Sequence, residues 1–351
     1  MPYYTISKVF PSDKTTMASV KNLLHQEGIR LDAHLDYTCA IMNAQNDVIA
    51  TGSYFGNSLR CLCVSSAYQG EGLLNRIVSH LIDEEYALGN YHLFVYTKTS
   101  SAAFFKDLGF TEIVHIDNHI SFLENKKTGF QDYLMTLNKP EQTPGKVAAV
   151  VINANPFTLG HQFLVEKAAR ENDWVHLFMV SEDQSLVPFS VRKMLIQEGL
   201  RHLDNIIFHE TGPYLISQAT FPAYFQTEDN DVIKSQALLD TAIFLKIAQT
   251  LQITKRYVGE EPTSRVTAIY NEIMAEQLQQ AGILLDILPR KAINHYLSMP
   301  ISASTARQAL KDNDWDLLAK LLPKTSLDYF CSLEAQPIIK KIQATSSVKH
   351  Y

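Results

Sequence analysis

The sequence predicts an α/β protein in two parts, a mixed-sheet domain over residues 1–138 followed by a doubly wound parallel-sheet domain over residues 139–351. Three observations lead there. Short strand-like runs crowd the first half and helical runs follow them, which suits a mixed sheet covered by helices. The second half alternates near-continuous apolar runs with amphipathic ones, the pattern of a parallel sheet buried on both faces. Between the halves, "NKPEQTPGK" (138–146) sets two prolines and a glycine among polar residues, the composition of a domain boundary.

At 351 residues the chain exceeds the usual reach of a single core. Its 46% hydrophobic and 19% charged content supports packed domains rather than disorder. A net charge of -6 and a pI near 6.1 argue against general nucleic-acid binding, which needs a basic face to neutralise phosphates. The opening "MPYYTISKVFPSDKTTMAS" has neither a basic n-region nor an apolar core, and no apolar stretch approaches the ~20 residues that span a bilayer, so a cytoplasmic protein is expected. Cys39, Cys61, Cys63 and Cys331 have no metal-ligand spacing and are read as reduced thiols. Cys61 and Cys63, flanking Leu62, are expected to pack as small hydrophobes on one strand face.

In order along the first half, the strands are "YTCAIMNA", "DVIATGSY" and "LRCLCVSS", each rich in β-branched or small apolar residues. The helix "GLLNRIVSHLIDEEYALG" follows, with apolar residues at three- and four-residue spacing, then strand "YHLFVYT" and helix "SAAFFKDLG". The second half reads as strand "KVAAVVIN", helix "GHQFLVEKAARE", strand "WVHLFMVS", helix "SVRKMLIQEGLRHL" and strand "NIIFHE". It continues with helix "SQALLDTAIFLKIAQTL", strand "KRYVG", helix "TSRVTAIYNEIMAEQLQQAG" and strand "ILLDILP". Right-handed crossovers between such strands place a ligand crevice at their carboxyl ends.

Two short segments bear on that crevice. "NPFTLGH" (155–161) turns the first strand of the second half into its helix. Pro156 restricts the turn, Gly160 permits close approach of a backbone or ligand, and His161 opens the helix with a ring donor. Such a segment is either an ordinary strand-to-helix turn or an anion site built on free helix amides. "ISASTARQALK" (301–311) is a Ser/Thr-rich helix start. Ser302, Ser304 and Thr305 are either caps or, with Arg307, a cradle for a polyphosphate.

The pairing of Thr158-Leu159-Gly160-His161 after the first strand with Ile301-Ser302-Ala303-Ser304-Thr305 after the last resembles the nucleotidylyltransferase superfamily, a Rossmann-like fold of the HxGH type. The set "VVINANPFTLGHQFLVEKAA", "ATFPAYF", "RYVGEEP" and "ISASTAR" is similar, in that order, to the citrate (pro-3S)-lyase ligase family. That resemblance implies an acid–thiol ligase that consumes ATP and acetate. It acetylates the thiol of a phosphoribosyl-dephospho-coenzyme A arm on the acyl-carrier subunit of citrate lyase, releasing AMP and pyrophosphate. It further implies catalytic roles for His161 and Thr158. The ATP contacts it implies lie at Asn153, Pro156, Phe157, Gly160, Ser302, Ser304, Thr305, Arg307, Gly259 and Glu260, with magnesium bridging phosphate oxygens and no protein metal cage.

In the first half, Gly70-Glu71-Gly72 at a strand-to-helix turn and the Gly109-Phe110 pair closing a later helix resemble the GNAT acetyltransferase fold. Beside the ligase resemblance this implies a coenzyme A-type arm site at Val64, Gln69, Gly70, Gly72 and Leu73. A tight turn without a ligand remains the alternative reading of the two glycines. Of the rest, Glu260 or Glu261 in "VGEEP" orients ATP or a metal, or is a helix-start acid favoured by the dipole. Phe221, Tyr224 and Phe225 in "ATFPAYF" line an acetate site or pack in a core. His176 and His209 are read as structural. Three other functions fit the same motifs: an adenylyltransferase of the phosphopantetheine type, a GNAT N-acetyltransferase with an accessory nucleotide domain, and a non-catalytic, ATP-sensing partner of a lyase complex.

Overall fold

A computed structural model describes residues 4–140, 145–182, 184–215, 221–222, 229–260, 265–289, 292–294, 297–346 and 348. The chain divides into two compact units, Met1–Tyr133 with Pro222–Ala242, and Leu134–Phe221 with Ile243–Tyr351.

The first unit is built on β1 (Ile6–Lys8), β2 (Tyr37–Met42), β3 (Val48–Phe55), β4 (Ser58–Val64), β5 (Phe94–Thr97), β6 (Thr111–Ile116) and β7 (Ile120–Glu124), with helices α1 (Lys14–Gln26), α2 (Leu73–Ala87), α3 (Ala102–Asp107) and α4 (Gly129–Thr136). The strand order is β1-β2-β3-β4-β5-β7-β6. Neighbours are antiparallel except β4 and β5, which run parallel and are registered only at Ser58–Phe94 and Leu59–Val95. Past Arg60 the β4 register slips against β3, and Cys61 takes a left-handed φ of 51°. A bulge of this kind bends the strand and ends regular pairing. The carboxyl halves of β4 and β5 therefore do not pair, and β4 leads from that gap through residues 65–72 into α2.

Helix α2 holds the sheet through Leu73, Ile77, Val78 and Leu81, a three- and four-residue spacing that buries one stripe. Gly52 on β3 admits it, since a Cβ there would meet Ile77. Cys39, Cys61 and Cys63 are buried, and burial pushes all three thiols up to about 12, so they pack as neutral hydrophobes. This is the mixed sheet covered by helices expected from the sequence.

The second unit contains a five-stranded, wholly parallel sheet of β8 (Val147–Ile152), β9 (Trp174–Met179), β10 (Ile206–Glu210), β11 (Lys255–Gly259) and β12 (Leu284–Leu288), in the order β10-β9-β8-β11-β12. The chain moves outward through α5 (Leu159–Glu171) and α6 (Phe189–Leu200), then returns through α7 (Asp229–Leu251) to β11 and through α8 (Arg265–Gln280) to β12. The direction of winding reverses between β8 and β11, and such a switch point is where open α/β sheets bind ligands. The α/β doubly wound class is as expected.

A short antiparallel pair, β13 (Ala292–Asn294) and β14 (Leu297–Pro300), leads to α9 (Ala303–Asp312), α10 (Trp315–Leu321), α11 (Lys324–Phe330) and α12 (Gln336–Ala344). Leu310, Leu318, Leu321, Ile339 and Ile342 from these helices share one core with Val165 of α5, Ile196 of α6 and Val150 of β8. The last helices thus cover the same sheet face as α5 and α6.

His176 and His209 occupy adjacent strands and are hydrogen bonded through Nδ1 and Nε2 at 2.8 Å. Burial lowers them to about 4 and about 3, so both rings are neutral at pH 7. Among the described residues, no helix is long and apolar enough to cross a membrane.

Candidate functional site

The turn after β8 is made by residues 153–158. Ala154 has a left-handed φ of 51° and the Asn155–Pro156 peptide is cis, and together they carry the chain to Thr158, the N-cap of α5. Thr158 and His161 form a capping box in which a histidine replaces the usual acid. The Thr158 hydroxyl accepts the His161 backbone N–H at 3.5 Å, and His161 Nδ1 accepts the Thr158 backbone N–H at 3.1 Å. A ring nitrogen that accepts is unprotonated, so the neutral imidazole carries its proton on Nε2. The result is a ring donor fixed at a helix N-terminus, where the dipole favours negative charge.

The second motif lies against the first. Ser302 caps α9, its hydroxyl accepting the Thr305 backbone N–H at 3.0 Å. Its oxygen also sits 2.9 Å from Ser304 Oγ and 2.7 Å from Thr305 Oγ1. A Cβ on Gly160 would stand 3.1 Å from the Ile301 carbonyl oxygen. Position 160 is thus small because another backbone approaches there, and the two helix N-termini meet at that approach. The capping reading of Ser302 and the proximity needed for a shared anion site are both realised.

Two buried arginines hold the turn. Arg192 on α6 donates through Nη1 to Asn153 O at 2.9 Å, Asn153 Oδ1 at 2.8 Å and Val180 O at 2.7 Å, and through Nε to Val187 O at 3.0 Å. Arg307 on α9 donates to Asn155 O at 2.5 Å and Val348 O at 2.8 Å, and burial lowers it to about 10, still fully charged at pH 7. Asn153 also donates to Ser185 Oγ at 3.2 Å. Asn153 and Arg307, expected beside phosphates, are therefore placed as braces of the turn in this conformation.

Arg192 and Asn155 were not legible as site residues. Asn155 Oδ1 accepts the Val187 N–H at 3.0 Å, which orients the amide, while its Nδ2 is buried without a partner. Phe157 is fully buried and stacks on His161, with centroids 5.9 Å apart at an interplanar angle of 17°.

Gly259 ends β11 next to the β8 turn, because Tyr257 is paired with Val150. Glu260 follows, its N–H bonded to Leu288 O at 2.8 Å. Phe221 is buried. Glu261, Tyr224 and Phe225 lie outside the described residues. Among the described residues, no group of three or more His, Cys, Asp or Glu is placed to hold a metal ion.

In the first unit, Gly70 and Gly72 have φ of 86° and 74°, and Gly72 is the N-cap of α2 with no side-chain cap bond. Gln69, Gly70 and Gly72 are exposed, Val64 is half-buried at the end of β4, and the Leu73 side chain is in the core, leaving its backbone N–H at the loop. Both glycine φ values are ones other residues rarely adopt.

The second unit is thus a doubly wound α/β body whose switch point carries paired, donor-rich helix N-termini. A family model described as the citrate lyase ligase C-terminal domain matches residues 147–330. The citrate (pro-3S)-lyase ligase of Haemophilus influenzae is 34% identical over 324 residues, covering 91% of this chain and 96% of that protein. The Escherichia coli enzyme of the same name is 34% identical over 330 residues, covering 93% and 94%. The chain belongs to the citrate (pro-3S)-lyase ligase family. Among solved structures, Thermotoga maritima TmcAL bound with alpha-thio ATP is 12% identical, covering 55% of this chain and 56% of that one at a TM-score of 0.38. A GNAT-family acetyltransferase from Staphylococcus aureus is 13% identical, covering 35% and 100% at a TM-score of 0.29.

Proposed function

We propose that this chain is a cytoplasmic, ATP-dependent acid–thiol ligase that acetylates the phosphoribosyl-dephospho-coenzyme A arm of the citrate lyase acyl-carrier subunit and so activates citrate lyase. Membership of the ligase family supports the reaction. The observation that carries the site is the approach of Gly160 to Ile301, which sets the Thr158–His161 box beside the Ser302–Thr305 hydroxyls at the switch point.

An acetate oxygen attacks the α-phosphorus of ATP, the bond to the bridging oxygen breaks, and pyrophosphate leaves with that electron pair. The arm's thiolate then attacks the acetyl carbonyl carbon, the acyl–phosphate C–O bond breaks, and AMP leaves. Neither step needs a covalent enzyme nucleophile, so positioning and charge stabilisation suffice. His161 Nε2–H donates to a phosphate oxygen as charge builds, with its tautomer held by Thr158. The α5 and α9 amides and the hydroxyls of Ser304 and Thr305 receive the departing pyrophosphate. Magnesium enters with ATP as part of the substrate, carried on phosphate oxygens and water.

Residues 1–138 grip the arm and residues 139–351 activate acetate. The gap between the carboxyl halves of β4 and β5, with the Gly70–Gly72 amides at its end, suits an extended pantetheine followed by a pyrophosphate.

The test is pyrophosphate release from ATP with acetate, with and without deacetylated citrate lyase. Dependence on both is expected. Release that needs neither overturns the reading, as does formation of a stable adenylylated product from phosphopantetheine or ATP-independent acetylation of an amine.

A further inference from the structure

Glu85 is a carboxylic acid in the last turn of α2, fully buried against the sheet. Its Oε2 accepts Asn90 Nδ2 at 2.7 Å, and its Oε1 is buried with no hydrogen-bond partner. An ionised carboxyl there has given up water on both oxygens for one neutral hydrogen bond, far less than a buried charge needs. It would also stand at the negative end of a helix dipole.

The surroundings do not make up the difference. Asp36, ahead of β2, acts on Glu85 as a like charge, and Tyr54 of β3 is a phenol that burial, and then the Glu85 charge, keeps protonated. The basic groups on the same elements bond elsewhere. Arg60 of β4 pairs with Asp32 at 2.9 Å, His80 of α2 meets the Tyr37 hydroxyl of β2 at 2.8 Å, and Arg76 of α2 donates to the Tyr4 carbonyl. Burial therefore raises the Glu85 carboxyl above its ordinary range, with the Asn90 bond opposing the shift.

The place of this group gives its proton a consequence. Asn90 is held twice, by its side chain on Glu85 Oε2 and by its backbone N–H on Glu85 O at 2.9 Å, which closes the turn from α2 toward β5. β5 begins there against β4, registered at Ser58–Phe94 and Leu59–Val95 before the two strands part. Glu85 thus serves the closed end of the β4–β5 wedge, while Gly70 and Gly72 lie at the start of the same helix. We infer that Glu85 is a proton-dependent pin of that wedge: uncharged, it seals the turn from α2 to β5, and on ionising it draws water to the last turn of α2 and loosens the start of β5. The stability this proton contributes is complete below the ordinary value near 4.5 and is lost as pH rises through the higher folded value. That is the reverse of the His176–His209 pair. The inference rests on the arm reading only for its effect on the carrier.

The experiment uses the full chain as wild type and as Glu85→Gln, which keeps an oxygen for Asn90. Carboxyl carbon NMR follows Glu85 from about pH 4 to about pH 9, its signal assigned by its loss in the variant. Amide exchange over residues 85–97, corrected for the intrinsic rate, is read across the same range, beside the KM for the acyl-carrier subunit. Glu85 is expected to titrate above 4.5. Past that midpoint wild-type protection is expected to fall by about tenfold per pH unit, one proton for each opening, while Glu85→Gln holds level. The carrier KM is expected to rise with pH in wild type and not in the variant.

A Glu85 midpoint at or below 4.5 overturns the inference, as does protection that falls alike in both chains. Should Glu85→Gln fail to fold, the wild-type midpoint and the coincidence of exchange with it still decide. A carrier KM that ignores pH while exchange follows it removes the arm from this wedge and leaves the pin standing.

Discussion

Arg307 and Asn155 are 152 residues apart in sequence and joined at 2.5 Å, guanidinium Nη1 to carbonyl oxygen. The bond ties the helix that opens with the Ser302 hydroxyls to the turn that carries Thr158 and His161. The same side chain bonds Val348 O, so one buried cation satisfies acceptors from two distant segments.

Arg307→Ala leaves those carbonyls buried without donors, and is expected to lower unfolding stability by about 2–4 kcal/mol. Arg307→Lys retains charge but not the fork that reaches both oxygens, and is expected to fall between. Urea denaturation of the two variants checks the order, and the KM for ATP is expected to rise in both.

His161→Asn is expected to leave a folded chain, because the residue is half-buried at a helix start and its cap bond is worth about 1 kcal/mol. Loss of its Nε2 donor is expected to lower pyrophosphate release by about 100- to 1000-fold. Circular dichroism beside steady-state rates separates the two effects.

Acid stability follows from the paired rings. His176 and His209 sit at about 4 and about 3 when folded, below an ordinary value near 6.5. Above pH 6.5 neither state binds the extra protons and stability is flat. As pH falls below 6.5 the unfolded chain takes protons that the folded chain refuses, so stability drops toward about pH 4. Each unpaired proton contributes a slope of about 1.4 kcal/mol per pH unit. His209→Phe is expected to flatten that acid limb, measured by denaturant titration between pH 4 and 8, whatever its stability at pH 8.

Replacing Gly70 and Gly72 with valine forces positive φ on branched residues and blocks the α2 amides. The KM for the acyl-carrier subunit is expected to rise by about tenfold or more if one or two charge-assisted contacts are lost. The KM for ATP is expected to stay unchanged. Equal KM values for the carrier in variant and wild type would remove the arm site from this loop.

The fold was legible where periodicity is strong. Every strand of the parallel sheet and the helices α5 to α8 follow runs of uniform apolar or amphipathic pattern. β1 and β13 were not, because three residues carry too little alternation. α10, α11 and α12 were missed because they are short and announce themselves through packing, not through length. In the site, Gly160 was legible as a point of close approach and Ser302 as a cap, while Thr158 came only through the family resemblance. Arg192 was hidden within "SVRKMLIQ", since an arginine on a helix ordinarily faces water and nothing local tells that carbonyls of the segments following β8 and β9 surround it.

The Val348 bond also orders the protein in time. The ribosome delivers Thr158 and His161 far ahead of Arg307, and Arg307 ahead of its acceptor at residue 348. Likewise the first unit includes Pro222–Ala242, a segment made long after its strands. The brace on the turn that carries Thr158 and His161 is thus completed by contacts made late in synthesis.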